Sequence, residues 1–307
     1  MSAGAALPTG VVVLERGWLS SNNVVVVGKD SAALVDSGYV THAEQTLALL
    51  ERACRGRPLS LLANTHLHSD HCGGNAAVQE RYPDCRTMIP PGHAWAVRAW
   101  DPVALTYVPT GQLCSRFRHD GVLEPGSTVV LGDLDWEVHA APGHDPHSVV
   151  LFEPSSRTLL SADALWENGF GVVFPELEGE SAFDEVARTL DLIETLNPLV
   201  VVPGHGRVFT GVRSALEGAR SRLAAYRAEP RRHAVHAAKV LLKFKLLEWQ
   251  QVSRTACLQW ATSTPYFGLV QARLRPGVEL TEWLGELIAD LQRSGALRVE
   301  GELLLNS

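Results

Sequence analysis

A short stretch of the chain, THLHSDHCGG at residues 65–74, places three histidines and an aspartate within six positions. His66 and His68 are separated by one residue, so on an extended backbone both side chains point to the same side. Two imidazoles presented in this way suit one Zn²⁺ ion, at about 2.0 to 2.1 Å each. Asp70 and His71 follow directly, and a turn of the chain can aim them at a second ion. The stretch therefore predicts a metal site, with two glycines that let the backbone pack closely behind it.

Three further candidate ligands stand at the ends of predicted strands or in loops that contain glycine and proline. They are His144 in APGHDPHS, Asp163 in LLSADALWE and His205 in VVPGHGRV. Loops at strand ends are where a rigid sheet usually presents functional groups. Nitrogen and oxygen ligands without a cysteine match a borderline cation such as Zn²⁺, with Fe²⁺ or Mn²⁺ as alternatives. The complete set predicts two adjoining metal sites.

Strands and helices alternate through the first two hundred residues. Short apolar or β-branched runs between turn residues predict strands at 11–15, 24–28, 32–35, 59–63, 128–131, 134–139, 149–152, 158–161 and 199–202. Helices are predicted at 182–196 and after Thr41, which forms a capping-box pattern with Glu44. The histidine-rich stretch then lies on the loop that leaves the fourth strand, with a helix expected from near Gly73 or Gly74. This order predicts an α/β or α+β sandwich.

The composition changes towards the end of the chain. Residues 212–247 are rich in alanine, leucine, arginine and lysine at helical spacing, with an interruption at Pro230. A further helix is predicted at 280–293, and the closing GALRVEGELLLN predicts a short hairpin. We expect two domains, a catalytic one at 1–225 and a smaller, mainly helical one at 226–307 that is similar in outline to a winged helix.

The composition also limits the classes of function. The chain has 307 residues, 46% of them hydrophobic, and a formal net charge of −7. This acidic balance disfavours a nucleic-acid binder, whose surface is normally basic. No apolar run approaches the roughly 18 residues of a membrane span, and the first ten residues lack the pattern of a secretory signal. Five widely spaced cysteines without a CxxC pair argue against a disulfide framework. We therefore expect a cytoplasmic protein that does not bind membranes.

The motifs HxHxDH, PGH, an aspartate after an apolar strand and a terminal PGHG occur here in an order that closely resembles the metallo-β-lactamase superfamily. The resemblance covers roughly residues 10 to 210 and implies an αββα sandwich, in which two sheets pack between outer helices. It also implies the role of each ligand. The first metal would be bound by His66, His68 and His144, the second by Asp70, His71 and His205, and Asp163 would bridge both.

The resemblance implies hydrolysis as the reaction. Two divalent ions that share a water lower its pKa from 15.7 towards about 7, which gives a metal-bridging hydroxide at neutral pH. Asp70 is the expected catalytic residue, because a carboxylate near that water can orient it or pass a proton to the leaving group. We expect a dinuclear zinc hydrolase acting on a small ester, thioester or lactone. The C-terminal domain is expected to cover the active site, to mediate homodimer formation, or both.

Two other enzyme classes of the same fold stay open. An iron-dependent sulfur dioxygenase uses a single metal, and a phosphodiesterase or nuclease is favoured only by the helical tail and its basic clusters. A class B β-lactamase is disfavoured, since those enzymes typically have cysteine or serine where Asp163 stands.

Several positions have two interpretations. After His144 the chain reads DPHS where the family often has TPGS, and Ala162 stands where glycine is common. His147 is either a substrate-facing group or a turn residue, and Trp166 either lines the substrate pocket or packs internally. The run RAEPRRH, with Lys239, Lys243 and Lys245 beyond it, either contacts an anionic substrate or forms a solvated helix face.

Overall fold

The computed structural model describes residues 6–307, so the expectation drawn from the first ten residues lies partly outside the described chain.

The first sheet has six strands in the order β1 to β6, which are Val11–Leu14, Asn23–Val27, Ala32–Val35, Leu59–Ala63, Arg86–Ile89 and Gly121–Val122. The second sheet has the order β11-β10-β9-β8-β7, where β7 to β11 are Thr128–Leu131, Leu134–Ala140, Val149–Glu153, Thr158–Ala162 and Val200–Pro203. Helices α1 to α8 are Ala43–Ala53, Ser69–Cys72, Asn75–Arg81, Ala94–Ala99, Tyr107–Thr110, Phe174–Glu178, Phe183–Leu196 and Val212–Ala228.

The two sheets face each other across one apolar core. Val26 and Val35 from the first sheet pack in the same cluster as Trp136 and Val138 from β8. In β8 the buried residues alternate with more exposed ones such as Glu137, as expected for a strand with one buried face. Helices α1 and α3 cover the outer face of the first sheet, and α7 and α8 cover that of the second. This arrangement confirms the predicted αββα sandwich.

The ends of several strands meet at one edge of the sandwich. Strands β3 to β6 run parallel to one another, as do β10 and β11, so β4, β10 and β11 end in loops that carry candidate ligands. Backbone hydrogen bonds join the segments at this edge. The amide of Val149 in β9 donates to the carbonyl of Thr65 after β4 at 2.9 Å, which links the two sheets, and the amide of Gly204 donates to the carbonyl of Ala162 at 2.7 Å, which links the ends of β10 and β11. This edge is therefore the place where the fold brings distant segments together.

Two local predictions near this edge need correction. The capping box at Thr41 is wrong, because Val40–His42 forms a 3₁₀ turn and His42 takes the N-cap of α1 without a side-chain cap bond. The predicted helix start near Gly73 or Gly74 is confirmed, because Gly74 is the N-cap of α3, but the stretch before it is not all loop, since a further short helix, α2, begins at Ser69. Asp70 and His71 consequently lie on a helical turn rather than in an extended loop.

The C-terminal region is mainly helical, as predicted. It contains α9 to α12, which are Pro230–Trp249, Arg254–Ser263, Pro265–Leu274 and Leu280–Arg293, and strands β12 to β14, which are Gln251–Ser253, Leu297–Glu300 and Leu303–Asn306. The predicted terminal hairpin is β13 and β14, and β12 pairs with β14 to complete a third sheet. The predicted domain boundary at residue 225 falls inside α8, which ends at Ala228. The break between the long helices α8 and α9 is at Glu229. The division into two domains stays a prediction, as do the location and the oligomeric state.

No helix among residues 6–307 combines the length and the hydropathy needed to cross a bilayer.

A buried polar cluster holds α9 against the αββα sandwich. The ammonium of Lys245 lies 2.8 and 2.9 Å from the two carboxylate oxygens of Glu248, and both side chains are under a tenth exposed. The hydroxyl of Tyr39 donates to Glu248 at 2.7 Å and accepts a hydrogen bond from the amide of Leu113 at 3.0 Å. Buried charges persist only when they are paired and hydrogen-bonded. The cluster therefore fixes the position of α9 relative to the loop after β3.

We expect Glu248→Leu to lower the free energy of unfolding by about 3 to 5 kcal/mol, because it leaves the Lys245 ammonium buried without its partner. Urea denaturation followed by circular dichroism measures the change. Glu300→Leu is the control, since Glu300 pairs with Arg298 at 3.7 Å on an exposed surface, where such pairs contribute about 1 kcal/mol or less. Equal losses in the two variants would contradict a structural role for the buried pair.

Candidate metal centre

The HxHxDH stretch reaches the sandwich edge because β4 ends at Ala63 and α2 begins at Ser69. The side chains of His66 and His71 are almost fully buried. Close packing behind them requires both glycines that follow. A Cβ at Gly73 would lie 2.4 Å from the carbonyl oxygen of Ser69, and a Cβ at Gly74 would lie 2.4 Å from that of Ser37. The two glycines thus let the ligand loop pack against the segment after β3.

The structure brings the seven predicted ligands together. One group consists of His66, His68 and His144, and another of Asp70, His71 and His205, and within each group the ligand atoms lie within 4.8 Å of one another. In the first group Nδ1 of His68 lies 2.8 Å from Nε2 of His144. In the second, Oδ2 of Asp70 lies 3.0 Å from Nε2 of His205. These are the two groups that the family resemblance implied.

Asp163 lies between the two groups. One of its oxygens, Oδ1, is 3.4 Å from Nε2 of His71, and the other, Oδ2, is 3.5 Å from Nε2 of His144. Ligands bound tetrahedrally at zinc distances lie about 3.3 Å apart. The spacing around Asp163 therefore fits a carboxylate with one oxygen towards each ion.

Unpartnered nitrogens provide an independent test of whether a metal fits. Among residues 6–307, Nε2 of His66 and Nε2 of His71 are buried without a hydrogen-bond partner. A buried polar atom left unsatisfied costs about 1 to 3 kcal/mol, so native proteins rarely keep one without a reason. The lone pairs of both nitrogens could coordinate a bound cation. The donor set, five imidazoles and two carboxylates, is also the one that zinc prefers.

The electrostatics favour the metal-binding protonation state at His66, His68 and Asp163 and oppose it at His71. Burial, with the neighbouring imidazoles, holds the pKa of His66 well below its ordinary value and lowers that of His68 to about 4. Burial raises the pKa of the Asp163 carboxyl, but the imidazoles of His205 and His71 outweigh it and hold that pKa well below its usual range. Neutral imidazoles and an ionised carboxylate are the forms that ligate metals. Burial lowers the pKa of His71, but the carboxylates around it outweigh burial and hold that pKa well above its ordinary value, so a bound metal would take the place of a proton on that ring.

Asp36, at the end of β3, supports the second group and was not identified from the sequence. Its Oδ2 accepts a hydrogen bond from Nδ1 of His71 at 2.8 Å, and its carboxylate also accepts from the amide and hydroxyl of Thr65 at 2.9 and 2.8 Å. A carboxylate behind a ligating histidine fixes the ring orientation and raises its basicity. The backbone of Asp36 has φ of 57°, which few residues other than glycine adopt without strain.

The first ligand group is supported by the segment that follows β10 in the second sheet. Nδ1 of His144 donates to the carbonyl of Val172 at 2.5 Å, and the next amide, of Val173, donates to Nε2 of His233 on α9 at 3.0 Å. Gly171 allows this approach, since a Cβ there would lie 2.4 Å from Nδ1 of His144. The C-terminal region thus holds the peptide that orients a candidate ligand.

The chain departs from the family pattern in DPHS, after His144, and at Ala162, and the structure shows the contacts and the backbone conformation at these positions. In DPHS, Oδ2 of Asp145 lies 3.8 Å from Nε2 of His68, and Oδ1 accepts a hydrogen bond from the amide of His147 at 2.7 Å. The ring of His147 packs against His93 with a centroid distance of 4.4 Å, apart from the cavity described below. Ala162 has φ of 46°, a conformation that glycine adopts more readily.

A cavity of about 390 Å³ opens onto the ligand cluster. Asp70, Asp163 and His205 are among its lining residues, and so is Trp166, whose Nε1 donates to Oδ1 of Asp163 at 3.2 Å. Trp18 stacks on the His205 ring with a centroid distance of 5.3 Å. Much of the remaining wall is apolar and includes Phe170, Val172, Phe174, Val240, Leu241 and Phe244. Three of these six come from α9, so the C-terminal region completes the cavity.

Comparisons with known proteins agree with this architecture. Residues 16–205 match the model of the metallo-beta-lactamase superfamily. A hydroxyacylglutathione hydrolase of Anaeromyxobacter dehalogenans (strain 2CP-C) is 34% identical over 203 residues, which cover 63% of this chain and 66% of that protein. The type A flavoprotein fprA of Rhodobacter capsulatus is 26% identical over 214 residues, which cover 64% of this chain and 47% of the flavoprotein. The matched segment thus spans about half to two thirds of these relatives.

Among solved structures, a metallo-beta-lactamase family protein from Thermus thermophilus has a TM-score of 0.57 and 19% identity. The match covers 98% of this chain and all of that one, the C-terminal region included. At this level of identity the likeness shows the fold alone. Together the comparisons confirm the resemblance drawn from the motifs.

We expect Asp36→Asn to weaken zinc binding by about 10- to 100-fold, because the carboxylate that orients His71 is lost. Competition with a chromogenic zinc chelator measures the affinity. Asp30→Asn, which removes an exposed carboxylate, should leave the affinity unchanged. Unaltered zinc affinity in the Asp36 variant would show that Asp36 has no role in holding the metal ligand.

Proposed function

Because the chain belongs to the metallo-beta-lactamase superfamily, we propose that it is a dinuclear, zinc-dependent hydrolase of a small thioester, with esters and lactones as related substrates. The observation that carries the proposal is the complete ligand set in two adjoining groups, with Asp163 between them. The thioester assignment is supported by the curated relatives, whose name denotes a thioester of glutathione.

Bound in these two groups, divalent ions would lower the pKa of a shared water towards about 7 and polarise the carbonyl oxygen of the substrate. The chain itself supplies binding and orientation. Asp36 and the carbonyl of Val172 hold the rings of His71 and His144 in place. A ring that is fixed before substrate arrives needs no reorganisation during the reaction.

Asp70 is the residue proposed to handle the proton. Its carboxylate lines the cavity, and Oδ2 is held by Nε2 of His205 at 3.0 Å. A carboxylate in this place can orient the attacking water and pass its proton to the leaving thiolate or alkoxide. Trp18 stacks on the ring of His205 and lines the same cavity, where it helps to hold that imidazole in place.

The cavity wall supports an apolar acyl group as part of the substrate. Phe170 and Phe174 line it on the catalytic side, and Leu241 and Phe244 line it from α9. Small-molecule sites are typically apolar clefts with a few placed polar groups. Burial of several methylene groups here would contribute about 0.8 kcal/mol each to substrate binding.

A nuclease or phosphodiesterase gains little support from the basic run on α9. The ammonium of Lys243 donates to the carbonyl of Ala296 at 2.6 Å and to the side chain of Asn306 at 2.5 Å. Lys245 is buried against Glu248, and Lys239 lies 3.8 Å from Asp290. Lys239 and Lys245 are thus paired with carboxylates, and Lys243 is hydrogen-bonded within the C-terminal region.

We expect the zinc-loaded protein to hydrolyse a thioester in a panel of aryl esters, thioesters, lactones and phosphodiesters. His68→Ala and Asp163→Ala should each lower kcat/KM by about 10³-fold or more, since each removes a ligand that holds a catalytic ion. His119→Ala, which changes a histidine outside the cavity, is the control. Hydrolysis that survives both ligand substitutions, or a protein that takes up oxygen with one bound iron and hydrolyses nothing, would refute the proposal.

A further inference from the structure

Arg222 on α8 lines the same cavity as the metal ligands, with Asn168 and His236 beside it. The sequence did not single out this arginine, because it lies in a helix with several other charged residues. Its location in the wall of the candidate active site distinguishes it from the rest of the helix.

The second distinguishing feature of Arg222 is that its charge is unpaired within residues 6–307. Among the residues that the structure describes, it makes neither an ion pair nor a hydrogen bond. Two other arginines of α8 are paired, Arg220 with Asp191 and Glu194, and Arg227 with Asp184. Arg213, which is also unpaired in the described chain, is exposed and does not line the cavity. A guanidinium stays charged at all physiological pH values and offers five N–H donors. Arg222 therefore presents an unused set of donors to the cavity.

The turn after Asp163 determines where this guanidinium lies. A Cβ at Gly169 would be 2.5 Å from Nη1 and 2.6 Å from Cζ of Arg222, so only glycine allows the side chain to rest there. Gly169 also has φ of 106°, and its carbonyl accepts a hydrogen bond from the amide of Trp166 at 2.7 Å. Since Trp166 also donates to Asp163, one turn links the guanidinium to a candidate metal ligand.

His236 adds an uncharged donor next to the guanidinium. Burial, followed by the charges of Arg222 and Lys239, lowers the pKa of His236 to about 4, so the imidazole is neutral at pH 7. A neutral imidazole can donate one hydrogen bond without adding charge. The cavity thus contains one fixed cation and one neutral donor on its α8 and α9 side.

We propose that Arg222, with His236 beside it, binds a carboxylate or phosphate group carried by the leaving-thiol half of the substrate. The inference rests on the proposed thioester hydrolysis. We assign the acyl half of the substrate to the apolar wall of the cavity. The anionic group would then belong to the thiol half, on the other side of the scissile bond. A planar guanidinium can bind either anion through two parallel hydrogen bonds, which gives orientation as well as affinity.

The test measures binding rather than turnover. Calorimetry on the zinc-loaded protein compares 3-(hexylthio)propanoate with 3-(hexylthio)propanamide, two thioethers that differ only in charge. We expect the propanoate to bind about 10- to 100-fold more tightly, as charge-assisted hydrogen bonds provide. Arg222→Met should remove this preference and Arg222→Lys should retain part of it. Arg213→Met, which removes an exposed arginine of the same helix, should change nothing.

The S-hexyl thioether of phosphopantetheine distinguishes the two anions. Tighter binding than the propanoate, lost in Arg222→Met, would assign a phosphate, and the reverse order would assign a carboxylate. The inference fails if the wild-type protein prefers neither anion over the amide, or if the preference persists in Arg222→Met, which would place the anion on the metals. If the protein prefers the anionic ligand through Arg222 but hydrolyses no thioester, the anion-binding site is supported and only the proposed function is rejected.

Discussion

The rest of the structure depends on one electrostatic constraint, the crowding of five imidazoles and two carboxylates at a buried sheet edge. Their ligand atoms lie within a few ångströms of one another, and three of the ring nitrogens, Nε2 of His66, Nε2 of His71 and Nδ1 of His205, have no hydrogen-bond partner in the described chain. Burying unpaired polar and charged groups is costly. Bound divalent cations would remove that cost, and the free energy of binding them would then become part of the free energy of folding. The four segments that carry the ligands are, in this account, cross-linked through the ions.

The supporting groups explain how the ligands keep their orientation when the ligands themselves come from loops. Asp36 holds His71 from the first sheet, and the carbonyl of Val172 holds His144 from the second. His233 extends the second support into α9 by accepting the Val173 amide. The C-terminal region therefore contributes to the metal centre indirectly, in addition to forming the apolar cavity wall. Specificity in such a fold comes from grafted segments of this kind rather than from the metal ligands.

The sequence predicted those parts of the site that are local or ordered along the chain. The HxHxDH spacing is a short-range signal, and His144, Asp163 and His205 follow predicted strands in the family order. The supports could not be predicted, because Asp36 and His71 are 35 positions apart and Val172 acts through a backbone carbonyl that leaves no mark on the sequence. Arg222 was missed for the same reason, since only the fold shows that it faces the cavity.

The fold itself was predictable where periodicity was strong. Nine of the eleven strands in the two large sheets, the long helices and the terminal hairpin were predicted from apolar patterns. Strands β5, β6 and β12 were not predicted, because each has only two to four residues and too little pattern to detect. The capping box at Thr41 failed because a 3₁₀ turn precedes α1 and moves the N-cap to His42. Short elements and caps depend on the contacts around them, and the sequence pattern does not contain those contacts.

The central claim is that seven side chains hold two ions, and anomalous X-ray diffraction at the zinc absorption edge tests it most directly. Crystals grown with zinc should show two anomalous peaks per chain, one within bonding distance of His66, His68 and His144 and the other of Asp70, His71 and His205. Asp163 should contact both peaks. A single peak, or two peaks that leave Asp163 bound to neither, would contradict the account.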